Sequence, residues 1–235
     1  MANTRADRFL ASYRKLENDL LDDIQETYRP FKNLVEQSER PAVQRYENQL
    51  KQYGKLRNSI VHHEHEDEQP IADPREDVVQ EFGRIVEQIT DPPGLQPFCH
   101  EVYTASPSDD IGAVVEKMET EDFSQMPVVD DEEVIAVLTS NTITRWVGAE
   151  LHQGGEGLLV TDASVKNALP YTEKDDNYTF LHRSANLYEA NTHFQIEDNP
   201  RELPDAVLIT HNGKATESLL GIITPYDLAD LVRRL

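Results

Sequence analysis

The spacing of apolar residues changes near residue 91, and that change dictates two different kinds of fold in one chain. Before it, apolar residues recur in steps of three and four: Phe9, Tyr13, Leu16, Leu20 and Ile24, then Val43, Tyr46, Leu50, Tyr53, Leu56 and Ile60. A third stripe runs through Val78, Val79, Phe82, Ile85, Val86 and Ile89. Such steps put the apolar side chains on one face of a helix. Pro30 is expected to end the first helix, and a short helical piece follows at Phe31–Gln37. Pro41 suits the first turn of the next helix. Asp73-Pro74 is expected to open the last one, with the aspartate as its cap and the proline at its first position. Three substantial amphipathic helices and one short one predict an antiparallel helical bundle over residues 1–90.

Asp91-Pro92-Pro93-Gly94-Leu95-Gln96-Pro97 has the composition of a linker, assigned to residues 91–97. Beyond it the apolar runs are short and β-branched: Val128-Val129, Val134–Leu138, Leu158–Val160, Val207–Ile209 and Leu219–Ile223. Helical patterns at Ile111–Met118 and Leu187–Phe194 lie between them, so this half reads as α/β. It also reads as a repeat. Ser108 before Ile111 parallels Ser184 before Leu187, each expected to cap its helix. Pro127–Asp130 parallels Asp205–Leu208. Each unit ends in an apolar strand that stops at a threonine, Thr139 or Thr224, and passes into a helix. Longer loops are expected in the second unit at Glu197–Leu203 and His211–Glu217. The units span 98–150 and 178–235, joined by a segment at 151–177. The fold class is therefore α + α/β, a helical bundle followed by tandem β-α-β-β-α units.

The formal net charge of -22 argues against broad binding to duplex DNA, which needs basic surface to displace counterions. It reads as a solvated acidic surface. The one cysteine, Cys99, excludes a disulfide within the chain and is expected to be structural. No apolar run approaches the length of a membrane span and no signal peptide opens the sequence, so a cytoplasmic protein is expected. Trp146 reads as a packing residue.

Gly221-Ile222-Ile223-Thr224-Pro225-Tyr226-Asp227-Leu228 offers a hydroxyl, backbone N–H groups and a carboxylate at a strand–helix junction, a set suited to a nucleoside with a phosphate. The repeated unit with its Thr-x-x-Asp end resembles the CBS domain family, over about Phe98 to Leu235. The resemblance implies pairing of the two units into one module, with adenine nucleotides bound in the clefts of many such pairs. It carries phosphate contact to Thr224 and ribose contact to Asp227. It places the base against Tyr178–Leu181 and Leu203–Ala206, with Tyr178, Leu181, Pro204 and Ala206 as the contacts. In the first unit Ala136 stands in place of the glycine and Thr142 in place of the aspartate. One nucleotide site per chain is thus expected. AMP, ADP and ATP share the adenosine part and are not distinguished.

Near the end of the third helical stripe stands Arg57-Asn58-Ser59-Ile60-Val61-His62. A helical bundle bearing Arg-Asn-x-x-x-His at a helix end resembles the HEPN superfamily, many of whose members are metal-independent ribonucleases with a site at a dimer interface. The resemblance makes Arg57, Asn58 and His62 the catalytic candidates. His62 would exchange protons near neutral pH, Arg57 would grip phosphate oxygens, and Asn58 would orient the imidazole. His62-His63-Glu64-His65 reads as a solvated loop rather than a metal site, since adjacent histidines point apart.

Two functional readings follow. One is an adenine-nucleotide sensor, a homodimer whose helical part serves dimerisation or docking of an effector. The other is a nucleotide-regulated endoribonuclease acting on RNA. Neither calls for a metal.

Overall fold

The computed structural model describes residues 4–61, 72–152, 163–172, 177–195 and 203–235. His62–His65, Leu158–Val160 and most of the Glu197–Leu203 loop, for which the sequence carries expectations, lie outside the described residues. The contacts divide the chain into two compact units, 1–93 with Leu235 and 94–234.

Among its described residues the first unit holds four helices: α1 (Arg5–Asp23), α2 (Phe31–Gln37), α3 (Pro41–Val61) and α4 (Glu76–Thr90). Helix α1 packs mainly on α4 and α2 on α3, with α3 also meeting α4. The expected stripes are the buried faces. Phe9, Tyr13, Leu16 and Leu20 of α1 face a core shared with Leu50 and Tyr53 of α3 and Phe82, Ile85 and Ile89 of α4. Phe9, Tyr53 and Phe82 meet ring to ring, with centroids 4.5–6.2 Å apart. Burying such a side chain stabilises the fold by about 1.5–3 kcal/mol.

Two helix ends differ from expectation. Helix α1 stops at Asp23, seven residues before Pro30, and Ile24 is exposed. Gln25 takes a left-handed φ of 55° there, which ends the helix without help from the proline. Asp73 does not cap α4, whose flanking residue is Arg75. Its Oδ1 instead accepts from the Ala6 N–H of α1 at 3.1 Å and its Oδ2 accepts from Arg5. The acidic group thus satisfies the start of a helix 68 residues away, a non-local partner that the local spacing could not show. Thr4 and Asp7 complete that end as a reciprocal capping box.

The second unit runs α5 (Ile111–Thr120), β1 (Gln125–Asp130), β2 (Glu133–Thr139), α6 (Ser140–His152), α7 (Val165–Ala168), β3 (Tyr178–His182), α8 (Leu187–Thr192), β4 (Ala206–Thr210), β5 (Gly221–Ile223) and α9 (Leu228–Arg234). In its second half, β3 pairs parallel to β4 and β4 antiparallel to β5. The order β3-α8-β4-β5-α9 is the expected β-α-β-β-α. The first half repeats it with its opening strand reduced to Ala105, which forms a parallel bridge to Val128 next to the antiparallel β1–β2 pair. Ala105 accepts from Val129 N–H at 2.8 Å and donates to Pro127 O at 3.0 Å.

Among the described residues, two apolar clusters hold this unit. Ile111, Val114 and Met118 of α5 pack with Val128, Leu138 and Trp146, so Trp146 is a core residue as expected. Val134 and Val137 pack with Ala206 and Leu208, joining the two sheets. The caps of α5 and α8 are Asp110 and Asn186, not Ser108 and Ser184. Asp110 accepts from Ala113 N–H at 2.8 Å, and Asn186 from Tyr188 and Glu189. The serines stand two residues too early to reach those donors. Ser184 instead bonds the His182 ring at 2.6 Å. Within the 91–97 segment expected as a linker, Leu95 is fully buried and Gly94 bridges to Asn186.

Candidate functional site

Strand β5 begins at Gly221 because nothing larger fits. An added Cβ would lie 2.2 Å from the Phe98 carbonyl oxygen and 3.1 Å from the Cys99 Cα. That close approach forms the antiparallel bridge between Gly221 and Cys99. It brings the segment after Cys99 beside the end of β5.

Strand β5 ends at Thr224, where a 3-10 turn at Pro225–Asp227 leads into α9. Thr224 donates to Asp227 Oδ2 from its backbone N–H at 2.8 Å and from its hydroxyl at 3.0 Å. Both bonds use the same carboxylate oxygen. Among the described residues Asp227 Oδ1 has no hydrogen-bond partner, so it is free to accept from a ligand hydroxyl. Asp227 is half-buried and Tyr226 beside it is 82% exposed.

A cavity of about 850 Å³ opens at this junction, within the size range of small-molecule sites. Thr224, Tyr226 and Asp227 line one side. Val102, Tyr103, Met118, Phe123 and Ile143 supply apolar and aromatic surface on the other. The Tyr103 and Phe123 rings lie nearly parallel, with centroids 5.8 Å apart. Ser124, Ser140 and Thr144 add hydroxyls near the start of α6. The cavity thus combines a flat apolar surface with a free carboxylate oxygen, which suits a ligand that has an aromatic ring and neighbouring hydroxyls.

The corresponding junction of the first repeat is closed. Thr139 and Thr142 share their hydroxyls at 3.1 Å, and Thr139 Oγ1 also accepts the Thr142 N–H at 3.0 Å. Thr142 is 1% exposed.

The structure brings Thr224 and Asp227 together and sets the other nucleotide candidates elsewhere. Tyr178, Leu181, Pro204 and Ala206 do not line this cavity. Tyr178 and Ala206 are register partners in β3 and β4, and Ala206 packs against Val134 and Val137 of β2. The Tyr178 hydroxyl donates to Val134 O at 3.3 Å. Leu181 lies in β3 opposite Ile209, and Pro204 directly precedes the residues that enter β4. The apolar wall comes from the first repeat, from Val102, Tyr103, Phe123 and Ile143, which sequence reasoning missed. Gly221 was the available signal, since a glycine inside a strand marks close approach of another backbone.

In the helical unit, Arg57 and Asn58 stand side by side on α3, and the guanidinium donates to Asn58 Oδ1 at 3.4 Å. The same guanidinium lies 5.5 Å from the centre of the Tyr13 ring. Burial pushes the Tyr13 phenol well above its ordinary range; Glu17 adds to this and Arg57 opposes it. Asn58 is exposed, and His62 lies outside the described residues. Cys99 is exposed; its thiol donates to Leu95 O at 3.5 Å, and desolvation raises its pKa, so it is not an activated nucleophile. No described helix is long and apolar enough to cross a membrane.

Among solved structures, the chain is similar to a CBS domain-containing protein from Kribbella flavida at 16% identity, over 60% of this chain and 97% of that one, with a TM-score of 0.45. It is similar to the CBS-domain containing protein ATU1752 from Agrobacterium tumefaciens at 18% identity, over 60% of this chain and 88% of that one, with a TM-score of 0.42. It is also similar to CBSX2, solved in complex with AMP, at 16% identity, over 60% of this chain and 94% of that one, with a TM-score of 0.40. No protein of curated function matches the chain. The family model of the CBS domain matches residues 98–149, the stretch that supplies the apolar wall of the cavity and the closed junction at Thr139. The chain therefore carries a CBS domain at residues 98–149.

Proposed function

We propose that residues 178–235 form a second CBS-type repeat and that the pair senses an adenine nucleotide in the cavity at Thr224 and Asp227. The Oδ1 of Asp227, without a hydrogen-bond partner among the described residues and carried by a side chain that lines a cavity with aromatic surface, is the observation that carries this reading. Asp227 accepts the ribose hydroxyls, Thr224 faces the 5′ side, and the base lies on the surface of Val102, Tyr103 and Phe123. AMP, ADP and ATP all present this adenosine part. The HEPN-like helical unit serves as a dimerisation or effector module. Ligand binding changes its state only through unequal affinity for two arrangements of the protein. A ribonuclease built on Arg57, Asn58 and His62 gains no further observation, because Arg57 is engaged with Tyr13 and Asn58.

The test is calorimetric titration of the full chain with AMP, using wild type and Asp227→Ala. Saturable binding that the substitution abolishes is expected. Binding that survives it unchanged would reject the assignment.

A further inference from the structure

Resting on the adenine-nucleotide reading of the cavity, we infer that its ligand is an adenosine compound whose 5′ arm is neutral or cationic, in preference to a polyphosphate. Two independent features point this way.

The first is charge. The described lining carries five carboxylates, Glu101, Glu119, Glu121, Asp122 and Asp227, and no lysine or arginine. Its one basic side chain is the exposed imidazole of His100. The ammonium of Lys117, which sits over the lining residue Tyr103, is already engaged. It bonds Glu121 at 2.8 Å and lies 4.0 Å from the centre of the Tyr103 ring. A triphosphate entering here would meet like charge.

The second is the supply of donors. Phosphates are held at helix starts by free backbone N–H groups. At the start of α6, Ser140 N–H donates to Ser124 O at 3.0 Å and Thr142 N–H to Thr139 Oγ1. At the other junction, Thr224 N–H and its hydroxyl both go to Asp227, and Asp227 N–H goes to Thr224 O at 3.0 Å. Four backbone N–H groups and the Thr224 hydroxyl at these two helix starts are thus committed within the protein. An adenosine moiety needs only the apolar wall and the acceptor on Asp227.

The experiment is calorimetry on the full chain with adenosine, AMP and ATP, without divalent cations, at low and at high salt. Adenosine is expected to bind at least about ten-fold tighter than ATP at low salt, with AMP between them. The gap should narrow at high salt, where exposed charges are screened. The double variant Glu119→Gln/Glu121→Gln should narrow it at low salt as well, since it removes two rim charges and frees Lys117. ATP binding as tightly as adenosine at low salt would overturn this inference while leaving the nucleotide site in place. Failure of all three ligands to bind would overturn the nucleotide site itself.

Discussion

The two strand–helix junctions of the second unit put a threonine at the same point and close differently. At the first, Thr139 bonds to Thr142, and the pair is buried with its hydroxyls turned on each other. At the second, Thr224 bonds to one oxygen of Asp227, a residue that lines a cavity, and the other oxygen has no partner among the described residues. The two junctions differ in the side chain three residues after the threonine and in its burial, Thr142 being buried and Asp227 half-buried. A second threonine satisfies the junction and seals it, while an aspartate satisfies it and has an acceptor to spare. The approach of the chain differs as well. Gly221 admits the backbone of Phe98 and Cys99, whereas Ala136 of the first repeat sits in β2 opposite Val128.

The largest effect is expected where that approach is tightest. Gly221→Ala should destabilise the protein by about 3 kcal/mol, because the new methyl meets main chain that cannot swing aside. Ala136→Gly should cost only about 1 kcal/mol. Urea unfolding of both variants measures the contrast, and equal losses would mean that Gly221 is not what brings the two segments together.

Thr142→Asp makes the closed junction resemble the open one in sequence. The carboxylate could accept from Thr139 but would be desolvated, so a loss of about 2 kcal/mol is expected, together with no second ligand site. A second equivalent of bound nucleotide in this variant would show that sequence, not burial, keeps the first junction closed.

The two hairpins sharpen the comparison further. Strands β1 and β2 turn through Asp131 and Glu132, with φ of 44° and 68°. Left-handed backbone at both positions marks a tight two-residue turn, which favours glycine at the second. Glu132→Gly should raise stability by about 1 kcal/mol in the same unfolding assay.

Strands β4 and β5 are joined instead by a longer loop that Glu217 ties down, accepting from the Asn212 N–H and side chain at 2.5 Å each. Those bonds hold its carboxyl at about 2, from an ordinary 4.5. A carboxyl with a lowered pKa stabilises the fold fully above its unfolded value and loses that contribution as pH falls from about 4.5 toward 2. Replacing Glu217 with glutamine should make stability less dependent on pH in that window. The effect is the smallest of this set, since the group is exposed to solvent.

Local periodicity made most of the elements legible. The α1, α3 and α4 stripes, the helices at Ile111 and Leu187 and the β1–β2 pair bury most of the residues that the spacing singles out, with Ile24 exposed and Leu56 and Val78 half-buried. Helix caps were less legible. Ser108-Asp109-Asp110 and Ser184-Ala185-Asn186 each offer more than one capping side chain, and only the residue next to the helix reaches its free N–H groups. Asp73 was read as a local cap and serves a distant helix instead.

At the candidate site, Thr224 and Asp227 were readable because their interaction spans three residues. The cavity's other wall was not. Phe98 and Cys99 meet Gly221 across more than 120 residues of chain, and no sequence period reports which repeat faces which. Tyr178, Leu181, Pro204 and Ala206 belong to the same repeat as Asp227 and do not line this cavity, whose apolar surface comes largely from the other repeat.

The asymmetry of the junctions is tested most directly by the stoichiometry of AMP binding, measured by calorimetry on wild type, Thr142→Val and Asp227→Ala. One molecule per chain is expected for wild type and for Thr142→Val, and none for Asp227→Ala. Two molecules per chain in wild type, or one retained by Asp227→Ala, would contradict the assignment of a single open site at Thr224 and Asp227.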